Sequence, residues 1–388
     1  MTRLESPPTA LPLQVREVTA ISAVPQADWN ALVDDDHPCL RHEFLEALEA
    51  SGAVEETSGW VPRHLTLWQG EALVGALPHY DKYHSRGEYV FDWAWADAWE
   101  RAGGAYYPKG LSAIPFTPVP GPRMALASGV NALSAARVFA AWLQDSSRSS
   151  WHLLFADAAQ VEAWQAAWPA LLTRHGVQFQ WQDRGFGDFD GFLAAMTTKR
   201  RKAIRRERRL VAEQGITLRR LVGREIDTAA LAHFYRCYCI TYLERGQQPY
   251  LSHAFFERLR ETLPEALVLI QARVAGKPVA AALCLQGART LYGRYWGSEV
   301  VADCLHFEAC YYQGIEHCLA HGLTCFDPGT QGEHKLSRGF APVALRSLHH
   351  IADPQLRQAV ARFCDDERRH VEAYRLHAAQ SLPFKALT

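Results

Sequence analysis

The chain has 388 residues, of which 48% are hydrophobic and 21% charged, and its formal net charge is -1. That length exceeds what one core usually serves and favours two domains, while the near-neutral balance excludes a global attraction to nucleic acid or acidic membrane. No run of eighteen apolar residues occurs, which excludes a membrane-spanning helix and stable membrane insertion. Nine cysteines without C-x-x-C spacing read as reduced thiols of a cytoplasmic protein.

In chain order, residues 1–12 read as a disordered arm. HPCLRHEFLEALEAS (37–51) is a Pro-containing lead followed by an amphipathic helix, and HLTLWQGEALVGALP (64–78) is a β-hairpin turning at Gly70. FDWAWADAW (91–99) is expected as an aromatic strand, followed by AYYPKG (105–110). In PFTPVPGPRM (115–124), four prolines and Gly121 make a rigid loop. It is either a structural crossing or a cleft wall offering Tyr107, Lys109, Thr117 and Arg123 to a substrate. Dense Gly and Asp at 180–191 mark a junction, giving domains over 13–185 and 186–388.

KRRKAIRRERR (199–209) carries eight basic residues in eleven, with Glu207 the only acid. One helix is expected over about 192–213, stopped by Gly215. Arg201, Arg205 and Arg206 represent its phosphate-binding face. The cluster is either a solvated surface or a site for a cofactor diphosphate, a lipid headgroup or an RNA backbone.

The second half repeats the first in order. QPYLSHAFFERLRET (248–262) parallels the first helix and VLIQARVAGKPVAAALC (268–284) parallels the hairpin, with Gly276 in place of Gly70. LYGRYWGSE (291–299) is a strand that parallels 91–99, and CYYQGI (310–315) parallels AYYPKG. Four landmarks in one order argue for duplication and for two mixed α/β sheets flanked by helices.

Residues 303–322 are expected as a helix, with Asp303 as N-cap and Gly322 as stop. At about 100° per residue, Glu308 lies mid-stripe among Cys304, Leu305, Tyr311, Tyr312, Ile315 and Leu319, while His306, Gln313, His317 and His321 lie opposite. A carboxylate aimed at a core is either a prepared proton acceptor or half of an ion pair, for example with Arg294. The spacing of His306, His317, His321 and His334 matches no standard metal site, so no metal is expected. FDPGTQGEHKLSRGF (326–340) ends a strand in glycines and charges, and a helix follows over 354–379.

FDPGTQGEHKLSRGFAPV resembles the C-terminal signature of the FemAB-like branch of the GNAT acyltransferases. The basic helix resembles that family's Lys-Arg-Arg-x-Ile-Arg-Arg helix. YYPKGLSAIPFTPVPGPRM (106–124) and LHFEACYYQGIEH (305–317) resemble a bacterial subgroup of N-acyltransferases. The resemblance implies two tandem GNAT-like domains with a substrate cleft between them. It also implies transfer, without a covalent intermediate, of an acyl or aminoacyl group to a small-molecule or lipid-linked amine. The donor would be an acyl-CoA or an aminoacyl-tRNA. It places a phosphate- or oxyanion-binding role on Lys335 and a second basic contact on Arg338. The resemblance assigns no role to Glu308; the residues themselves make it the candidate proton acceptor, and Tyr312, Trp296, Arg294, Tyr107, Lys109 and Arg123 the candidate substrate contacts. The family's usual diphosphate loop has its nearest copy in RYWGSE (294–299), which departs from the pattern at its last position. Recognition of a peptidoglycan precursor, nucleotide or lipid headgroup without transfer is the alternative reading.

Overall fold

The computed structural model describes residues 11–330 and 332–385, so the expected arm over 1–12 lies outside them except for Leu11 and Pro12. Fifteen strands build the described fold. They are β1 (Leu13–Val18), β2 (Trp60–Pro62), β3 (His64–Gln69), β4 (Ala72–Leu77), β5 (Tyr80–Lys82), β6 (Lys109–Ser112), β7 (Ala125–Leu126), β8 (Ser150–Leu153) and β9 (Leu172–Gln182). The later six are β10 (Ile216–Val222), β11 (Leu267–Val274), β12 (Lys277–Gln286), β13 (Thr290–Ser298), β14 (Cys325–Asp327) and β15 (Ala341–Ile351). Four form a small sheet, β1-β3-β4-β7, and eleven form a mixed sheet ordered β10-β11-β12-β13-β14-β9-β15-β8-β6-β5-β2.

The expected hairpins form. β3 with β4 and β11 with β12 are antiparallel pairs, each turning at a glycine with positive φ, Gly70 or Gly276. Each is extended by a preceding antiparallel strand, β1 on β3 and β10 on β11. The two expected helices are His42–Ala50 and His253–Thr262, and they pack on each other. Phe44 meets Phe255 edge to face at 5.5 Å, and Arg258 clasps Glu46 through two bonds of 2.9 Å.

Past the hairpins the parallel fails. FDWAWADAW is a helix, Trp93–Arg101, not a strand. Its alanines suit a helix, and burial of Trp95 and Ala96 beneath the C-terminal helix rewards that choice over an aromatic strand. AYYPKG runs into β6, whereas CYYQGI is helical. The expected 192–213 helix is two, Phe189–Ala195 and Thr198–Glu213, broken where Met196 and Thr197 turn extended. The last helix runs Pro354–Gln380, capped by Asp353 on the amides of Gln355 and Leu356.

The boundary expected near 185 falls just after a strand held on both sides by later sequence. β9 pairs with β14 on one side and β15 on the other, and β15 continues onto β8. A second tie is Asp36, whose carboxylate accepts from the amides of Arg289 and Thr290 at 2.6 and 2.7 Å at the start of β13.

Candidate active site

β13 and β14 lie parallel but pair only from Thr290↔Cys325 to Tyr292↔Asp327. Beyond that the chain turns at Pro328 and Gly329 while β13 continues to Ser298. Gly293 permits the approach: a Cβ there would lie 3.2 Å from the Pro328 Cα. A notch therefore opens between two interior strands at their C-terminal ends, near helix 305–321 and the turn Glu333–Arg338.

A β-bulge sits at the notch. Leu283 pairs with Tyr295 and Cys284 with Gly293, leaving Arg294 as the extra residue, which re-aims its side chain. Arg294 Nη2 donates to the Phe116 carbonyl at 2.8 Å, across from the N-terminal half, and its buried Nε has no partner. Phe116 and nearby Tyr89 hold φ of 55° and 63°, a left-handed conformation that aromatic residues rarely adopt. The PFTPVPGPR loop thus meets the site through the Phe116 backbone, which residue-type reasoning did not single out.

Lys335 is 1% exposed, and its ammonium donates to the Gly329 carbonyl at 2.5 Å. It makes no ion pair among the described residues, and burial pushes its pKa down to about 8. Asp327 lies within electrostatic reach of both Lys335 and Arg294. It accepts from Gln178, Gln180 and the Gly329 amide at 2.9 to 3.1 Å, and burial pushes its pKa up. Half-buried Trp296 lies against His306 at 5.5 Å, and His334 bonds the Tyr311 hydroxyl at 2.8 Å, giving the notch an aromatic wall.

Several expected contacts are instead internal struts. Arg338 stacks on Phe307 at 3.5 Å and donates to the Tyr312 hydroxyl, the His334 carbonyl and Glu207 at 3.0, 2.9 and 2.8 Å. Tyr312, fully buried, also bonds Glu207. Arg123 is spent on backbone carbonyls of Leu154, Gly121, Pro122 and Val119, so it locks its loop rather than lining a cleft. Thr117 bonds the Pro115 carbonyl at 2.8 Å. Lys109 is fully buried with Glu88 and Asp92 at 2.8 and 2.5 Å, and Tyr107 bonds Ser85 at 2.8 Å.

Glu308 is 4% exposed, as its place on the stripe requires, but its partner is Arg208 rather than Arg294. Arg208 Nε and Nη2 each donate to it at 3.0 Å, and Gln313 donates at 2.8 Å. The helix carrying it begins at Leu305 after left-handed Cys304, not at an Asp303 cap, and contains a π-turn, Glu308–Tyr312. That extra residue rotates everything downstream by about 100°. Gln313 and His317 are consequently buried, against the regular wheel, while Leu319 is only partly buried against the core and Gly322 ends the helix left-handed as expected.

The basic helix divides its charges. Arg205, Arg208 and Arg209 line an open groove of about 710 Å³ with Glu308, Gln313 and Glu316. Arg205 pairs with Asp190 at 3.1 Å. Lys199, Arg200, Lys202 and Arg206 are exposed, Arg201 is half-buried, and none of these five makes an ion pair among the described residues. The four histidines considered for a metal do not converge. His233, Cys237 and Glu299 do, with one ligand atom each inside 4.8 Å of the others. The His233/Cys237 spacing of four along a helix was the signal available in the sequence.

A mixed sheet flanked by helices, whose β13 and β14 part beside the buried Lys335, is the frame of this site. The chain belongs to the FemAB-like family, whose model, described as peptidoglycan biosynthesis/recognition, matches residues 20–386. Among solved structures it is similar to FemX, at 12% identity and TM-score 0.53, over 87% of this chain and 98% of that one. It is also similar to L-PGS from Bacillus licheniformis, at 9% identity and TM-score 0.52, over 90% and 99%. A C-terminal domain ascribed to a lysylphosphatidylglycerol synthetase from Agrobacterium fabrum matches at 9% identity and TM-score 0.52, over 88% and 95%. No curated protein matches. Among the described residues no helix is long and apolar enough to cross a membrane.

Proposed function

We propose that the protein is an N-acyltransferase that works in the notch between β13 and β14, at the seam of two GNAT-like halves. The observation that carries this reading is a buried cation without a direct ion pair among the described residues. Lys335 is buried beside an opening in the sheet and bonded to one carbonyl, with Arg294 likewise bonded to one carbonyl and Asp327 within electrostatic reach of both but paired with neither. A buried ammonium held this way is stabilised by a ligand that brings a negative charge into contact. A donor phosphate, or the oxyanion that develops on an acyl carbon under attack, supplies it.

The amine of a small-molecule or lipid-linked acceptor attacks the acyl carbon of a coenzyme A thioester or an aminoacyl-tRNA ester. A C–N bond forms, the C–S or C–O bond breaks, and the amine proton ends on the departing thiolate or alkoxide, giving a free thiol or hydroxyl. Lys335 stabilises the oxyanion and Arg294 holds an anionic group of either substrate. The unpaired cations between Lys199 and Arg206 attract the phosphates of the donor or of a lipid headgroup. Glu308 is assigned to the Arg208 clasp, which occupies both its oxygens, rather than to proton abstraction.

Turnover of acetyl-CoA, long-chain acyl-CoA and aminoacyl-tRNA with a panel of amines tests this. Lys335→Met is expected to lower kcat by about 100- to 1000-fold with folding preserved. Turnover unchanged in both Lys335→Met and Arg294→Met would sink the assignment. Tight binding of a peptidoglycan precursor without turnover would favour recognition instead.

A further inference from the structure

We propose that His233, Cys237 and Glu299 form a zinc-class metal site that clamps helix Thr228–Leu243 to the exit of β13. His233 and Cys237 stand four residues apart on one face of that helix. They are brought to the strand end by a close approach that only glycine allows, since a Cβ on Gly297 would fall 1.7 Å from the Cys237 carbonyl. Two residues on, Glu299 is fixed by its amide bond to the Val279 carbonyl at 2.8 Å. Arg236 donates to one carboxylate oxygen at 3.2 Å, which leaves the other facing His233.

The sulfur–nitrogen distance fits coordination, and the nitrogen–oxygen distance lies about 0.5 Å beyond the roughly 3.3 Å that two bonds of about 2.0 Å subtend at a tetrahedral metal. The Cys237 sulfur lies 3.5 Å from His233 Nε2, and the free Glu299 oxygen lies 3.8 Å from the same nitrogen. A tetrahedral zinc with bonds of about 2.3 Å to sulfur and about 2.0 Å to nitrogen requires a sulfur–nitrogen separation of about 3.5 Å. The set does not fit a nucleophile–base–acid triad, in which thiol and carboxylate occupy opposite ring nitrogens. Here both face Nε2, and buried Nδ1 has no partner. A metal supplies the missing charge, and the thiol proton passes to solvent on binding. Sulfur, imidazole and one carboxylate suit zinc and exclude magnesium or calcium. Glu299, one-third exposed, leaves the fourth position open to water. The clamp would stiffen the strand that carries Arg294, but it stands independently of any acyl-transfer role.

The test uses the full chain, stripped of metal and titrated with zinc against a chromophoric chelator, and separately with cobalt. One tight equivalent per chain, a raised Tm and a thiolate-to-cobalt charge-transfer band are expected. Cys237→Ser should lose the band and weaken zinc binding by more than about 100-fold. Glu299→Gln, at the exposed edge, keeps the fold intact and should weaken it by at least about 10-fold. No tight equivalent in the native chain, or an unchanged affinity and cobalt spectrum in Glu299→Gln, would overturn the site.

Discussion

Lys335 and Arg338 stand three residues apart in one short turn, yet their surroundings separate them. Arg338 has an acid, a hydroxyl, a carbonyl and an aromatic face, and Lys335 has one carbonyl. Its burial sets a pH dependence. With a folded pKa of about 8 against an ordinary 10.5, the folded chain gives up this proton before the unfolded chain does. Below about pH 8 both states hold the proton and folding bears the full burial cost. Through the window from about 8 to 10.5 the unfolded chain binds more protons, so this contribution to stability rises with pH, by on the order of 3 kcal/mol at most. Chemical denaturation at pH 7 and pH 10 should show that rise in the native chain and lack it in Lys335→Met. The lysine's place in a distinctive stretch was legible. Its isolation was not, because which acids pair with which cations is decided between elements.

At the scale of elements, the basic helix is the clearest case of a composition that does several jobs. Its face toward helix 305–321 spends Arg208 on Glu308 and Glu316, and even its acid Glu207 is used, binding Arg338. Five cations, Lys199, Arg200, Arg201, Lys202 and Arg206, make no ion pair among the described residues, and the four exposed ones, Lys199, Arg200, Lys202 and Arg206, are the most accessible to an external anion. Replacing these four by Gln should lower the salt dependence of RNA binding by about 3 in the log–log slope. Thermal stability should stay within about 0.5 kcal/mol. A slope unaffected by the change would remove them from the interface. The π-turn teaches a related lesson. Helical existence and the Gly322 stop follow from local sequence, whereas one inserted residue resets the face that Gln313 and His317 present. No side-chain period reports such an insertion.

For the whole molecule, the exchange of strands across the middle matters most. β9 has both neighbours from residues beyond 185, and Trp181 on it is fully buried. Residues 1–185 expressed alone should therefore fail to unfold cooperatively, and the full chain should melt in one transition. Two separate transitions, or a cooperatively folded 1–185 fragment, would show that the halves are autonomous.

What the sequence determined by itself is what depends on near neighbours and on long shared motifs. The paired helices at 42 and 253, the hairpins at Gly70 and Gly276, the burial of Glu308 and the family signature around Lys335 all lie in short continuous stretches. What only the tertiary structure decided is which partners meet. Residues 91–99 became a helix because the C-terminal helix covers Trp95. Glu308 found Arg208, a hundred residues earlier, instead of Arg294. Arg294 itself was aimed by a bulge whose register belongs to two strands at once. Charges and backbone polar groups taken from water must be matched wherever a partner lies in space, and that matching is written in the packing, not in the spacing along the chain.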